Sequence, residues 1–121
     1  MALYHQLRNQ ISKFSDSDPD WVQFVHDHYD WIRRRATEVR VDPEDAFHDR
    51  YRPETLLSGR LGVPSEIIWI VLLINGITSE SDIRDLRKLL VITDLQPIET
   101  LYMSYTTWTT NLETHRARLA E

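Results

Sequence analysis

The chain has 121 residues, of which 41% are hydrophobic and 27% are charged, and its formal net charge is -5. This composition is typical of a soluble globular protein, and the length suits one domain or a small core with helical extensions. The negative charge argues against general attraction to nucleic acid or anionic lipid. The sequence contains no cysteine, which excludes a disulfide framework and zinc sites built on thiolates.

The N-terminal residues lack the continuous apolar stretch of a secretory signal. Apolar side chains repeat there at helical spacing, which predicts an amphipathic helix over residues 2–14. The longest apolar run of the chain, 67–74, is far shorter than the roughly 20 residues that a membrane-spanning helix needs. The sequence therefore predicts no membrane anchor.

A second helix is predicted to begin at Asp18 and Pro19, because aspartate is a good N-cap and proline suits the first helical position. Its apolar stripe consists of Trp21, Val25, His28, Ile32, Ala36 and Val39. The sequence TEVRV then alternates between polar and apolar residues, which predicts a short strand ending at Asp42 and Pro43.

The central sequence RPETLLSGRLGVPSEIIWIVLLINGI contains two segments that each end at a glycine. Pro53 and Gly62 mark the start and end of a first helix, and Pro64 and Gly76 mark those of a second. The length of the second segment favours a buried helix over a buried strand. A short helical turn over 82–88 and a buried strand over 89–92 are predicted to follow.

A long helix is predicted at the C-terminal end of the sequence, because apolar residues repeat there at helical spacing. They are Ile98, Leu101, Tyr102, Tyr105, Trp108, Leu112, His115 and Leu119. The predicted fold is therefore α+β and mostly helical, with a small β-α-α-β core between flanking helices. Its predicted parts are an N-terminal helical arm over 1–42, the core over 43–95 and the C-terminal helix over 96–121.

The central order of elements resembles a LysM module, in which a two-stranded sheet packs against two helices. Asn75 and Gly76 match the turn at which the second helix of that family ends, and LLVI matches its closing strand. The usual glycine-aspartate turn before the first helix is missing, and Thr93 stands where a proline commonly follows the last strand.

The sequence over roughly 45–92 resembles more specifically the LysM-like baseplate wedge protein 53 family of contractile-tailed phages. Members typically have an arginine-proline-glutamate start, a tryptophan in the second helix and an asparagine at its end. The family-motif and core residues in this chain are Arg52, Pro53, Glu54, Gly62, Trp69, Asn75 and Gly76.

This resemblance implies a structural protein of the virion, located in the tail baseplate and assembled in the host cytoplasm. Such a subunit joins wedge subunits around the hub, in multiple copies of a symmetric assembly. Its implied partners are other baseplate wedge, hub or sheath-initiator proteins, with no nucleic acid and no membrane. The resemblance implies no enzymatic activity and no cofactor.

The sequence offers weak candidates for a metal site. Aspartates stand at positions 1, 3, 5 and 12 of a would-be calcium loop, but Trp21 occupies the position of the required glycine. Helix capping explains these aspartates better: Asp16, Asp18, Asp20 and Asp27. His26 and His28 point away from each other on a helix and cannot share a metal there. No metal ligand is predicted.

No catalytic residue is predicted either. The serines lack a nucleophile-elbow pattern, and His48 and Asp49 are expected in a turn or strand as surface polar residues. The basic cluster of Arg33 to Arg35 with Arg40 has acidic neighbours, which favours a solvated helix end or a protein interface over phosphate binding.

Two aromatic stripes are candidates for a protein interface, because a core of this size cannot easily absorb both of them together with Trp69. The candidate interface residues are Trp21, Trp31, Tyr102, Tyr105 and Trp108, whereas Trp69 is predicted to lie in the core.

Two other functions stay open. A LysM-type module that binds peptidoglycan or chitin would have its groove near 52–55 and 76–79, with Tyr51 as the nearby stacking ring. A helical adaptor in another macromolecular machine is the third hypothesis.

Overall fold

The structure, a computed structural model, describes residues 13–120 with the exception of the side chains of 114–118 and 120. The helix predicted over 2–14 therefore lies almost entirely outside the described residues. Lys13 and Phe14, the two residues of that prediction that the structure describes, form a turn. The Phe14 side chain is buried in the core.

Two helices replace the single helix predicted after Asp18. Helix α1, Pro19–Asp27, has the predicted cap, since Asp18 Oδ1 accepts a hydrogen bond from Asp20 N at 3.0 Å. Helix α2, Tyr29–Arg35, follows after a break at His28. At this break His28 Nδ1 donates to Phe24 O at 2.7 Å, the carbonyl that a continuous helix would pair with the His28 amide. The His28 amide bonds to Val25 O at 3.1 Å instead.

The two predicted strands form one antiparallel pair. Strand β1, Thr37–Arg40, pairs with β2, Lys88–Val91, so that Val39 faces Leu89 and Thr37 faces Val91. Leu89 and Val91 are buried, because alternate residues of β2 point into the core. Strand β2 is shifted by one residue from its predicted bounds.

A short helix that the sequence did not predict follows β1. Helix α3, Pro43–His48, has Asp42 as its N-cap, with Asp42 Oδ1 accepting from Glu44 N at 2.8 Å. The expectation of a turn or strand at His48 is therefore wrong. The same aspartate-proline pair that begins α1 also begins α3, because both residues fit the start of a helix.

Both helices predicted in the central stretch are present. The first is a π-helix, Thr55–Arg60, and the second begins with the 3₁₀ turn Ser65–Ile67 and continues as α4, Ile68–Ile74. Gly62 and Gly76 follow these segments with φ of 76° and 67°, a left-handed conformation that favours glycine.

Helix α5, Glu80–Arg84, starts earlier than the turn predicted over 82–88, and Lys88 belongs to β2. The Asp82 carboxylate sets this start, because its Oδ2 accepts hydrogen bonds from Thr78 N and Ser79 N at 2.9 and 3.2 Å. These bonds lower the pKa of Asp82 below its ordinary value. Helix α6, Gln96–Ala120, confirms the long C-terminal helix.

The described elements give the predicted class, a mostly helical α+β fold with one small antiparallel sheet. One hydrophobic core includes side chains from all three predicted parts, among them Trp21 from α1, Ile70 from α4 and Leu101 from α6. Strand β1 lies in the predicted arm but pairs with β2 of the predicted core. Within residues 13–120, no helix is long and apolar enough to cross a membrane.

Candidate protein-contact surface

The second half of α6 extends past the core. A helix of 25 residues is about 37 Å long. Among its described side chains, the buried ones are Ile98, Leu101 and Tyr105, all in its first half. Trp108 is 47% exposed and Leu119 is 74% exposed. Apolar side chains on a helix that lacks cover from its own core are typical of a surface that contacts another protein.

Trp108 is held in place by other aromatic rings. Its ring centroid lies 6.2 Å from that of Tyr105 and 6.0 Å from that of Phe24. Tyr105 in turn packs against the buried Trp21 at 5.4 Å and donates its hydroxyl to Asp18 Oδ2 at 2.7 Å. Burial and this hydrogen bond raise the pKa of Tyr105 above its ordinary value. A continuous row of rings therefore connects the exposed Trp108 to the core.

A groove of about 380 Å³ lies beside Trp108, between α1 and α6. Its described lining is Asp20, Gln23, Phe24, Asp27, His28 and Trp108. Asp20 and Asp27 are exposed, whereas Phe24 and His28 are half-buried. The Asp27 carboxylate accepts a hydrogen bond from Gln23 Nε2 at 2.9 Å.

The interface prediction is wrong for Trp21 and Tyr105. The Trp21 side chain is fully buried and Tyr105 is only 6% exposed. The aromatic stripes of α1 and α6 pack against each other instead of against a partner. Trp21 of α1 contacts both Tyr102 and Tyr105 of α6. Of the five candidate interface residues, Trp108 is the exposed one.

The remaining two candidates, Trp31 and Tyr102, are half-buried, and each ring is covered by a cation of the same chain. The Arg35 guanidinium lies 3.5 Å from the Trp31 ring centroid, and Lys13 Nζ lies 5.2 Å from that of Tyr102. Their aromatic faces are therefore less available to a partner than that of Trp108.

Trp69 packs against the core but is only half-buried. Its Nε1 donates to Phe14 O at 2.7 Å, and Trp21 Nε1 donates to the same carbonyl at 3.2 Å. The two indoles thereby fix the turn at Phe14 against both α1 and α4. This hydrogen bond explains the tryptophan in the second helix without any bound ligand.

Asn75 joins the end of α4 to strand β2. Its Nδ2 donates to Val71 O at 2.7 Å and to Leu90 O at 2.8 Å, and its Oδ1 accepts from Leu90 N at 2.9 Å. The side-chain amide provides both a donor and an acceptor at this site, which a carboxylate could not do. Asn75 and Gly76 together set where α4 ends and how β2 is held.

The other motif residues mark the start of the π-helix. Arg52 O accepts hydrogen bonds from Thr55 N and Leu56 N, and Arg52 N donates to Asp49 O at 2.8 Å. Pro53 is half-buried, and the side chains of Arg52 and Glu54 are exposed. These contacts are structural and use the backbone.

A buried carboxylate that sequence reasoning placed at the surface lies next to this start. Asp49 is 1% exposed, and it accepts hydrogen bonds from Arg60 Nε at 2.6 Å and from His48 Nδ1 at 2.9 Å. The bonds from His48 and Arg60 lower the pKa of Asp49 below its ordinary value. Arg60 also reaches Asp45 Oδ1 at 3.0 Å. This network fixes the end of α3 against the π-helix, and no local sequence pattern indicates its pairing.

A second groove, of about 310 Å³, lies where the glycan groove of a LysM-type module is expected. Its described lining is Arg50, Tyr51, Pro53, Leu72, Ile77, Thr78, Ser79, Glu80 and Ile83. Tyr51 is 69% exposed, but the Arg50 guanidinium lies 4.7 Å from its ring centroid. Arg50 Nε also approaches Glu80 Oε2 at 3.9 Å.

Two aspartates of the would-be calcium loop make hydrogen bonds to different parts of the protein. Asp18 caps α1 and accepts from Tyr105, whereas Asp27 accepts from Gln23. In the part of the chain that the structure describes, no group of three or more histidines and acidic residues could hold a metal ion. Helix capping is confirmed as the role of Asp18.

Comparison of the chain with protein-family models, with curated proteins and with solved structures found no match.

Proposed function

We propose that the chain is a structural subunit of a phage contractile-tail baseplate wedge, which joins wedge subunits around the hub by protein contacts. The observation that carries this proposal is the second half of α6, where Trp108 is exposed at the end of a row of packed rings. A helix that extends from a core and exposes apolar side chains is suited to bind another protein.

The choice of a tail baseplate as the assembly rests on the sequence resemblance to the baseplate wedge protein 53 family. The motif residues lie at the starts and ends of the central helices, and Asn75 attaches the second of these helices to the closing strand. In the proposed role, α1 holds α6 in place, because Trp21 packs against Tyr102 and Tyr105. Its partners are other baseplate wedge, hub or sheath-initiator proteins, bound in multiple copies within the virion tail. Contact of this kind requires no enzymatic activity, cofactor, nucleic acid or membrane.

Replacing Trp108 with alanine is expected to weaken assembly far more than it affects folding. The side chain is 47% exposed and lies at the outer end of the aromatic row, so its loss leaves no enclosed cavity in the monomer. A central aromatic side chain of an interface contributes about 2 kcal/mol or more to binding, which is roughly thirtyfold or more in affinity. The measurement is co-purification with each protein encoded by the neighbouring genes, beside urea unfolding of the isolated chain.

Tyr51→Ala is the matched control for that experiment, because Tyr51 is also an exposed aromatic residue but does not lie on α6. It is expected to leave co-purification unchanged. Equal losses of folding and assembly in Trp108→Ala would count against an interface role. Neighbouring genes for other machines, without tail sheath or tube genes, would favour the helical adaptor.

A second candidate function is glycan binding, which the groove at Tyr51 favours because a stacking ring there adjoins Thr78 and Ser79. This function predicts retention on insoluble peptidoglycan or chitin that free oligosaccharide competes away and that Tyr51→Ala abolishes. An authentic LysM protein serves as the positive control. Absence of retention under conditions where that control is retained would remove this candidate.

A further inference from the structure

The groove between α1 and α6 brings exposed carboxylates next to an uncovered aromatic face. Asp20 and Asp27 are seven residues apart on α1 and therefore lie on one side of that helix, on either side of Phe24. Trp108 forms the opposite wall, with its ring tilted by 34° to that of Phe24. The described lining contains no lysine or arginine.

The other exposed aromatic side chains among the described residues are covered by a cation of the same chain. They are Phe47 and Tyr51, and the Arg50 guanidinium lies 4.0 and 4.7 Å from their ring centroids. Among the side chains that the structure describes, no cation lies over the Trp108 ring. Trp108 is thus an indole face beside two carboxylates, and tryptophan is the side chain that attracts cations most strongly.

We propose that this groove receives an arginine side chain of a partner protein, with the guanidinium over Trp108 and the carboxylates of Asp20 and Asp27 on either side as its negative charges. A planar guanidinium can stack on a ring and donate to two acceptors together, which a lysine ammonium cannot do equally well. This inference rests on the proposed contact function and deepens it, because it names the chemistry of the residue that enters.

His28 adds to the same side of the groove. Because a carbonyl can only accept, the His28 Nδ1 that faces Phe24 O at 2.7 Å carries a proton. This bond holds the His28 ring against Phe24 at the edge of the groove, with the two ring centroids 4.2 Å apart. The groove therefore offers the cation an aromatic face and two carboxylates.

The test is a titration of the ¹⁵N-labelled full chain with the blocked peptide acetyl-Gly-Arg-Gly-amide at low ionic strength, followed by NMR. The reporter is the indole N–H signal of Trp108, assigned by its absence in Trp108→Phe. The matched probe has citrulline in place of arginine, which keeps the planar group and removes the charge. We expect a saturable shift with the arginine peptide and about tenfold weaker binding of the citrulline peptide.

The double variant Asp20→Asn with Asp27→Asn is also expected to bind the arginine peptide about tenfold more weakly. Both carboxylates are exposed, so the dispersed amide spectrum of the variant checks that it is folded. Equal binding of the two peptides, or unchanged binding by the double variant, would overturn the proposal. A lysine peptide that binds as tightly as the arginine peptide would overturn the choice of arginine.

If the indole signal shifts with protein concentration in the absence of peptide, a second copy of this chain fills the groove. That result would overturn the proposal that the arginine belongs to a different protein. The result also separates this inference from the proposed function. If Trp108→Ala loses its tail partner while the arginine peptide causes no shift, the contact function stands and the arginine site does not.

Discussion

Trp21→Ala is expected to destabilise the protein by about 4 kcal/mol, a large part of the 5–15 kcal/mol that holds a typical domain folded. The Trp21 side chain is fully buried, and it packs against Tyr102 and Tyr105 of α6. Its indole N–H also donates to Phe14 O at 3.2 Å. Truncation therefore leaves a cavity between α1 and α6 and removes one of the two indole donors to the Phe14 carbonyl. Urea unfolding followed by circular dichroism measures the change.

Trp108→Ala is the internal control for this experiment, since the same residue type is removed from the same aromatic row at its exposed end. It is expected to lower the free energy of unfolding by only about 1–2 kcal/mol, because about half of the side chain is exposed and its removal encloses no cavity. Trp21→Phe, which keeps an aromatic ring but loses the N–H donor, should fall between the two. Similar stabilities of Trp21→Ala and Trp108→Ala would contradict the assignment of Trp21 to the core.

The contrast between these two tryptophans marks where sequence reasoning succeeded and where it failed. Helical spacing identified both stripes, and both helices are present. Spacing alone, however, does not reveal that the stripes of α1 and α6 face each other. Estimating the capacity of the core from chain length suggested excess aromatic area, whereas rings packed edge to face fill space efficiently. The two stripes thus bury each other's rings at Trp21 and Tyr105, whereas Trp108 stays exposed at the surface.

Helix ends were predictable because they depend on local chemistry. Asp18 with Pro19 begins α1, and Gly62 and Gly76 end the central helices with positive φ. Asp42 with Pro43 carries the same start signal and begins α3, directly after the strand that it was predicted to end. The break at His28 was not predictable from spacing, because it depends on whether the ring or the backbone amide takes the Phe24 carbonyl.

Contacts between distant residues were the least predictable part of the structure. The family resemblance indicated Asn75, but its bonds to Leu90 require the geometry of the folded strand. Asp49 and Arg60 are eleven residues apart and on different helical segments, so no helical or strand period pairs them. The expected exposure of Asp49 followed residue type, which fails where a carboxylate has enough hydrogen-bond donors to be buried.

Asp49→Asn is expected to lower the free energy of unfolding at neutral pH by about 2–3 kcal/mol, because hydrogen bonds from charged donors to a buried carboxylate are strong and an amide replaces them poorly. Asp49 is 1% exposed and bonded to Arg60 and His48, so its environment is adapted to a negative charge. The measurement is urea unfolding of both proteins between about pH 7 and pH 3.

The difference between the two proteins should depend on pH in one direction. The pKa of Asp49 is lower in the folded protein than its ordinary value, mainly through the His48 and Arg60 hydrogen bonds. The carboxylate therefore contributes stability that is present above its unfolded pKa, near 3.9, and is lost as the pH falls through the lower folded pKa, by about 1.4 kcal/mol per pH unit at most. Asparagine does not titrate, so the advantage of the wild-type chain should shrink as the pH falls toward 3 and below. An advantage that stays unchanged at acid pH, or that is absent at pH 7, would show that the network contributes little and that α3 and the π-helix are held together by apolar packing alone.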